Sequence, residues 1–108
     1  MEIKISISSR AGRATAKGIY TGKETIVKVG GTISEDFAEH IQGGKKAKSY
    51  RDNLEYVNNN GVIIKDCVFS SPSTAAQFVT GRSTNGYEAW KVDGKKSLGE
   101  FLKEEGLR

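Results

Sequence analysis

Residues 3–29 read IKISISSRAGRATAKGIYTGKETIVKV, and this stretch decides the class of fold. Ile3, Ile5 and Ile7 alternate with polar residues, the period-2 pattern of a strand that buries one face. After Gly12, in a turn over residues 10–13, Ala14, Ala16, Gly18 and Tyr20 share one parity. They are small residues suited to closely packed backbone, and they end on an aromatic. Thr21-Gly22-Lys23 is hairpin punctuation, and Thr25 to Val29 is β-branched enough for a third strand. Three consecutive strands with short connections predict an antiparallel meander, broken at Gly30-Gly31.

Beyond the meander the pattern changes period. Ser34 followed by Glu35 and Asp36, with Phe37 and Ile41 one helical turn apart, predicts a short helix before Gly43-Gly44. Ala47, Tyr50, Leu54 and Val57 recur at intervals of three and four and predict a helix over 45–58, ended by Asn58-Asn59-Asn60-Gly61. Val62 to Ile64 and Cys67 to Phe69 read as extended. Ser71 suits an N-cap, Pro72 the first helical position and Gly81 the residue after the last turn, which predicts a helix over 72–80 packed through Ala75, Ala76 and Val79. Asn85-Gly86 reads as a turn, 87–92 as a strand and Asp93-Gly94 as another turn. Ser97 with Glu100 forms a capping box for a last helix through Glu105. The expected class is α+β: a small antiparallel sheet, the N-terminal three-stranded meander plus later strands, packed with about three short helices.

Composition narrows the chemistry. At 108 residues the chain fits a single domain over 1–108, with 36% hydrophobic and 28% charged residues. It has no long apolar run and no signal-peptide core near its first residue, so we expect a soluble, cytoplasmic protein without membrane contact. One cysteine, Cys67, allows no internal disulfide, and together with one histidine, His40, it falls short of a structural zinc site. The same scarcity removes most nucleophile and base pairs, so neither an enzyme, a metal nor a cofactor is expected. His40 reads as a surface residue and Cys67 as a small buried hydrophobe.

Net charge +4 points to an anionic partner or simply to a solvated surface. Residues 1–34 hold six Lys or Arg against Glu2 and Glu24, and Lys45, Lys46, Lys48 and Arg51 follow. The serine-rich start of the helix over 72–80 offers amide donors, with Ser71, Ser73 and Thr74 hydroxyls, as a cradle for phosphate. The competing reading is that Ser71 only caps the helix and Ser73 faces solvent. Arg82 and Asn85 are side chains able to read guanine and adenine edges. Asn85 equally serves turn geometry, and Arg82 equally supports Trp90 or a carboxylate. Trp90, the one tryptophan, is expected in the core, with base stacking as its alternative, and Lys91 beside it is a further candidate nucleic-acid contact.

The segments Ser71-Pro72-Ser73-Thr74-Ala75-Ala76 and Gly81-Arg82-Ser83-Thr84-Asn85-Gly86, with Trp90-Lys91 and the closing Lys96-Ser97-Leu98, carry a family resemblance. The pattern resembles an uncharacterised bacterial domain often found C-terminal to GIY-YIG nuclease modules and in restriction-associated proteins, and it is similar to the RAMA domain of restriction enzymes and adenine methylases. The resemblance covers about residues 14–102, including Ala16-Lys17-Gly18 and Tyr50-Arg51-Asp52. Gly18-Ile19-Tyr20 spells half of a GIY-YIG signature, but the second half does not follow, so a nuclease is not expected. The resemblance implies, by analogy, a non-catalytic module that binds DNA or reads a DNA modification, with a nuclease or methylase as partner protein; the candidate nucleic-acid contacts, read from the residues themselves, are Ser71, Ser73, Thr74, Arg82, Asn85, Lys91, Lys45 and Lys46. The alternative is a protein-interaction or structural accessory domain that binds no nucleic acid.

Overall fold

In a computed structural model the described residues are 1–9, 14–37 and 45–107. Strands β1 (Ile3–Ser8), β2 (Thr15–Tyr20) and β3 (Thr25–Val27) form the expected meander, closed between β2 and β3 by Thr21, whose N–H donates to the Glu24 carbonyl at 2.9 Å. The register pairs Ile5 with Gly18 and Ile19 with Ile26, so each directly opposed pair shares one face of the sheet. Ile3, Ile5, Ile7, Ala16, Tyr20, Thr25 and Val27 are buried on that inner face. The third strand is shorter than expected and ends at Val27.

Three more strands widen the sheet on both sides. β4 (Cys67–Phe69) pairs antiparallel with β3, while β5 (Lys91–Val92) pairs with β1 and β6 (Lys96–Ser97) with β5. The order is β4-β3-β2-β1-β5-β6, every pair antiparallel. Chain passing from β4 to β5 therefore crosses the inner face, and it carries the helices α2 (Pro72–Thr80) and α3 (Gly86–Ala89). With α1 (Lys45–Arg51) and α4 (Leu98–Glu104) these make the helical layer, three helices of seven residues or more and one of four. The class is α+β.

α2 forms for the reasons its sequence states. Ser71 is extended (φ −145°, ψ 151°) and its Oγ accepts from the Thr74 N–H at 3.2 Å, while Pro72 takes a first position that needs no N–H. Gly81 closes the helix at φ 72°, and its N–H donates to the Gln77 carbonyl at 2.8 Å. Residues 75–79 are all buried, and Phe78 lies 5.3 Å from Phe69 of β4, centroid to centroid. At the chain's other end Ser97 caps α4 as the capping-box pattern predicts, its Oγ accepting from the Glu100 N–H at 3.2 Å. Leu98 and Leu102 bury against the core.

Three expectations are corrected. The helix over 45–58 stops at Arg51. Asn53 Oδ1 accepts from the Glu55 N–H at 3.0 Å, a local turn that competes with helical bonding, and Leu54 is left 63% exposed. Val57 is buried through a bridge to Ile63, not along a helix stripe. The strand over 87–92 is instead α3 followed by β5, because Asn85 Oδ1 caps the Tyr87 N–H at 3.0 Å and the Trp90 N–H donates to the Gly86 carbonyl. Ser34 caps no helix among the described residues, since 34–37 are irregular and the Ser34 hydroxyl donates to the Asp36 carbonyl at 2.9 Å. The remainder of that segment, with His40, and the turn over 10–13 lie outside the described residues.

Candidate nucleic-acid interface

The serine-rich helix start and the following glycine loop meet in space, but they meet each other. Ser73 Oγ accepts from the Gly86 N–H at 2.9 Å, and the indole Nε1–H of Trp90 donates to the Pro72 carbonyl at 3.0 Å. Gly86 lies so close to α2 that an added Cβ would stand 2.1 Å from the Pro72 carbonyl carbon and 2.3 Å from the Ser73 nitrogen. Ser71 Oγ also lies 3.0 Å from Thr74 Oγ1. The oxygens of Ser71, Ser73 and Asn85 therefore accept backbone N–H groups within the fold, and the Ser71 and Thr74 hydroxyls pair with each other. Trp90 is fully buried, as expected of the largest apolar side chain.

The opposite end of α2 is closed by Arg51 and Ser34, in roles that the sequence reading did not assign them. The Arg51 guanidinium donates to the Phe78 carbonyl at 2.9 Å, to the Asp36 carbonyl at 3.3 Å and to both the carbonyl and hydroxyl oxygens of Ser34, and it lies 5.0 Å from the Phe37 ring centroid. Ser34 N–H donates to the Val79 carbonyl at 2.9 Å. Helix-end carbonyls that have no intrahelical partner are thus satisfied by one charged side chain and one passing strand of backbone. Burial lowers the Arg51 pKa, with Asp52 and Asp36 acting in the other direction. Tyr50, one residue earlier, guards the sheet edge: its hydroxyl is 3.3 Å from both the N–H and the carbonyl of Val68, the groups that edge strand β4 turns away from β3. The Tyr-Arg pair was legible as a motif, but its purpose needed the fold.

The remaining members of the expected set separate. Lys45 and Lys46 are exposed on α1, with Lys46 Nζ 5.2 Å from the Tyr50 ring centroid. Arg82 is exposed just past α2, and among the described residues its guanidinium makes no hydrogen bond or ion pair. Lys91 alone belongs to the sheet.

Opposite the buried face, the sheet turns a second set of residues outward; at its β5–β6 end this set meets the helices, since Ser97 Oγ caps α4. The register aligns two rows running across the strands. One row is Asp66, Lys28, Lys17, Ser6, Lys91 and Ser97, and the next is Val68, Ile26, Ile19 and Lys4. None of these residues is buried. With strands about 4.8 Å apart, Lys28 to Lys91 spans roughly 14 Å, and the two rows are separated by about 7 Å along the strands. Lys28 is neutralised by Asp66 at 2.6 Å. That contact, together with the Val29 N–H at 3.0 Å, holds the Asp66 carboxyl below the usual carboxylate range, chiefly through the lysine hydrogen bond. Lys4 and Lys17 make no ion pair among the described residues, and the Lys91 ammonium donates to the Glu88 carbonyl of α3 at 2.8 Å. By register, the lysines flanking Ser6 are Lys17 on β2, Lys91 on β5 and Lys4 two residues earlier on β1. The sequence signal was present: Lys4 and Lys17 have the polar parity of their strands.

Among the described residues no group of three His, Cys, Asp or Glu could hold a metal ion. Burial pushes the Cys67 thiol up to about 12, with the Asp66 carboxylate adding to the shift, so the thiol stays protonated and unreactive at neutral pH. No helix among the described residues is long and apolar enough to cross a membrane.

Comparison with known proteins adds one relationship. The model of a domain of unknown function, DUF4357, matches residues 5–102. No curated protein and no solved structure matches the chain.

Proposed function

We propose that this chain, which belongs to the DUF4357 family, is a non-catalytic DNA-binding module, and that the outer face of its sheet is the binding surface. The observation that carries the reading is the placement of Lys4, Lys17 and Lys91 around Ser6 in the sheet register, none of them with a carboxylate partner among the described residues. Lysine ammonium groups at a surface bind phosphates by charge and release condensed counterions. The resemblance of the SPSTAA and GRSTNG segments to domains that accompany restriction enzymes, nucleases and adenine methylases supports DNA as the polyanion. It also supports a nuclease or methylase as the companion protein. Lys45, Lys46 and Arg82 lie off this surface and are not assigned to it.

A second reading, a protein-interaction accessory domain, is favoured by the aliphatic row Val68, Ile26 and Ile19 beside the lysines. Salt dependence separates the two. Three phosphate contacts correspond to a slope of about −2.7 in log K against log salt, so duplex DNA affinity measured by fluorescence anisotropy should fall about 40-fold between 50 and 200 mM salt. Lys17→Gln should reduce that to about 12-fold. Absence of duplex binding at 50 mM salt would transfer the surface to the protein-partner reading.

A further inference from the structure

We infer that the outer face grips double-stranded DNA through phosphates and deoxyribose without reading bases, in preference to single strands and to duplex RNA. This rests on the proposed binding function and adds the substrate class to it. The first argument is the lack of a stacking platform. Proteins that hold single strands lay bases on exposed aromatic rings. The two outward rows contain lysine, serine and aliphatic side chains, and the described aromatic residues lie elsewhere. Tyr20 and Phe69 are on the inner face, Tyr50 is at the β4 edge, Phe78 and Trp90 are in the core, and Tyr87 packs edge-on against Tyr20 at 6.4 Å. A strand with splayed bases would find charge here and nothing to stack on.

The second argument concerns the sugar. The aliphatic row of Ile19, Ile26 and Val68 runs parallel to the lysine row, about 7 Å from it. A phosphate held by Lys17 brings the adjoining sugar over Ile19 and Ile26, the members of that row on β2 and β3. Deoxyribose offers it an apolar edge. Ribose would bring a 2′-hydroxyl, donor and acceptor at once, against side chains that can do neither, and desolvating it without a partner is unfavourable. The third argument is the lack of a base reader: on these rows only Ser6 and Ser97 carry side-chain acceptors apart from Asp66, which is committed to Lys28. Among the described residues, the two rows carry no arginine fork or amide, the groups that discriminate base edges.

The test uses the full chain and fluorescein-labelled 20-mers of one sequence as duplex DNA, single-stranded DNA and duplex RNA, with a second duplex of scrambled sequence, at 50 mM salt. Duplex DNA is expected to bind at least about tenfold more tightly than either the single strand or the RNA duplex, and the two DNA duplexes to agree within about twofold. Ile26→Thr, which places a hydroxyl in the aliphatic row on the solvent side, should narrow the gap between RNA and DNA duplexes while leaving the salt slope unchanged. Equal or tighter binding of the single strand or of RNA, or a large difference between the two sequences, overturns this inference and leaves the DNA-binding reading standing. Failure of all four probes to bind overturns the reading itself. An unchanged thermal midpoint for the variant shows that its readout is not loss of fold.

Discussion

Replacing Gly86 by alanine sets local propensity against tertiary contact. Gly86 is the first residue of α3 and has no positive φ, so helix propensity alone favours alanine there by about 1 kcal/mol. The added methyl would stand 2.1 and 2.2 Å from the carbonyl carbon and oxygen of Pro72 and 2.3 Å from the Ser73 nitrogen, all of them backbone atoms that cannot rotate away. Relief requires α3 to withdraw from α2 by on the order of 1 Å, the gap between these distances and van der Waals contact. That shift breaks the Gly86 N–H to Ser73 Oγ bond and strains the Trp90 indole bond to Pro72, each worth about 0.5–1.5 kcal/mol, on top of an overpacking cost of about 1–3 kcal/mol. The net expectation, after the propensity gain, is about 3 kcal/mol of destabilisation. For a domain of this size the thermal midpoint should drop by about 12–24 °C. Circular dichroism melts, backed by urea titration, measure it. Gly94→Ala is the comparison: Gly94 has φ 69° and nothing within 4 Å, so its substitution costs only the backbone strain, about 1 kcal/mol. A Gly86→Ala protein as stable as wild type, or more so, would refute the close approach of α3 to α2.

Ser73→Ala should cost about 1–3 kcal/mol by leaving the Gly86 N–H without its partner, and Arg82→Ala less than about 0.5 kcal/mol; neither should alter the salt slope of DNA binding, which chemical denaturation and anisotropy together would check. Arg51→Met removes the charged donor from the Phe78, Ser34 and Asp36 carbonyls and should destabilise by about 2–4 kcal/mol in urea titration. Arg51→Lys should recover only part of this, because one ammonium cannot reproduce the fork. Cys67 should resist Ellman's reagent at pH 8 in the folded chain and react at once in denaturant. The unfolded thiol ionises near pH 9 and the folded one only near 12, so its contribution to stability is intact below about pH 9 and is lost as pH rises toward 12, a slope that Cys67→Ala should reduce.

Local rules were enough for the elements whose signals lie within a few residues. The meander follows from the alternation in Ile3, Ile5 and Ile7 and the hairpin glycine, and α2 from Ser71, Pro72 and Gly81, because capping and strand parity are set by near neighbours along the chain. The reach of α1 was misread because Leu54 and Val57 fit a helix stripe, whereas the Asn53 side chain turns the backbone and Ile63 claims Val57 from a distant segment. The sequence identified the segments SPSTAA and GRSTNG as belonging together, but it could not say that their hydroxyls, amide and glycine would be engaged within the fold. A serine hydroxyl can accept and donate, and only the fold shows that the Ser73 oxygen accepts from the Gly86 N–H. The lysine face had the reverse history. Parity placed Lys4 and Lys17 on the polar side of their strands, but the neighbourhood of Lys4, Lys17 and Lys91 depends on β5 returning across the sheet to pair with β1. Strand order is fixed by the helices packed on the inner face, a long-range arrangement that period and propensity do not encode.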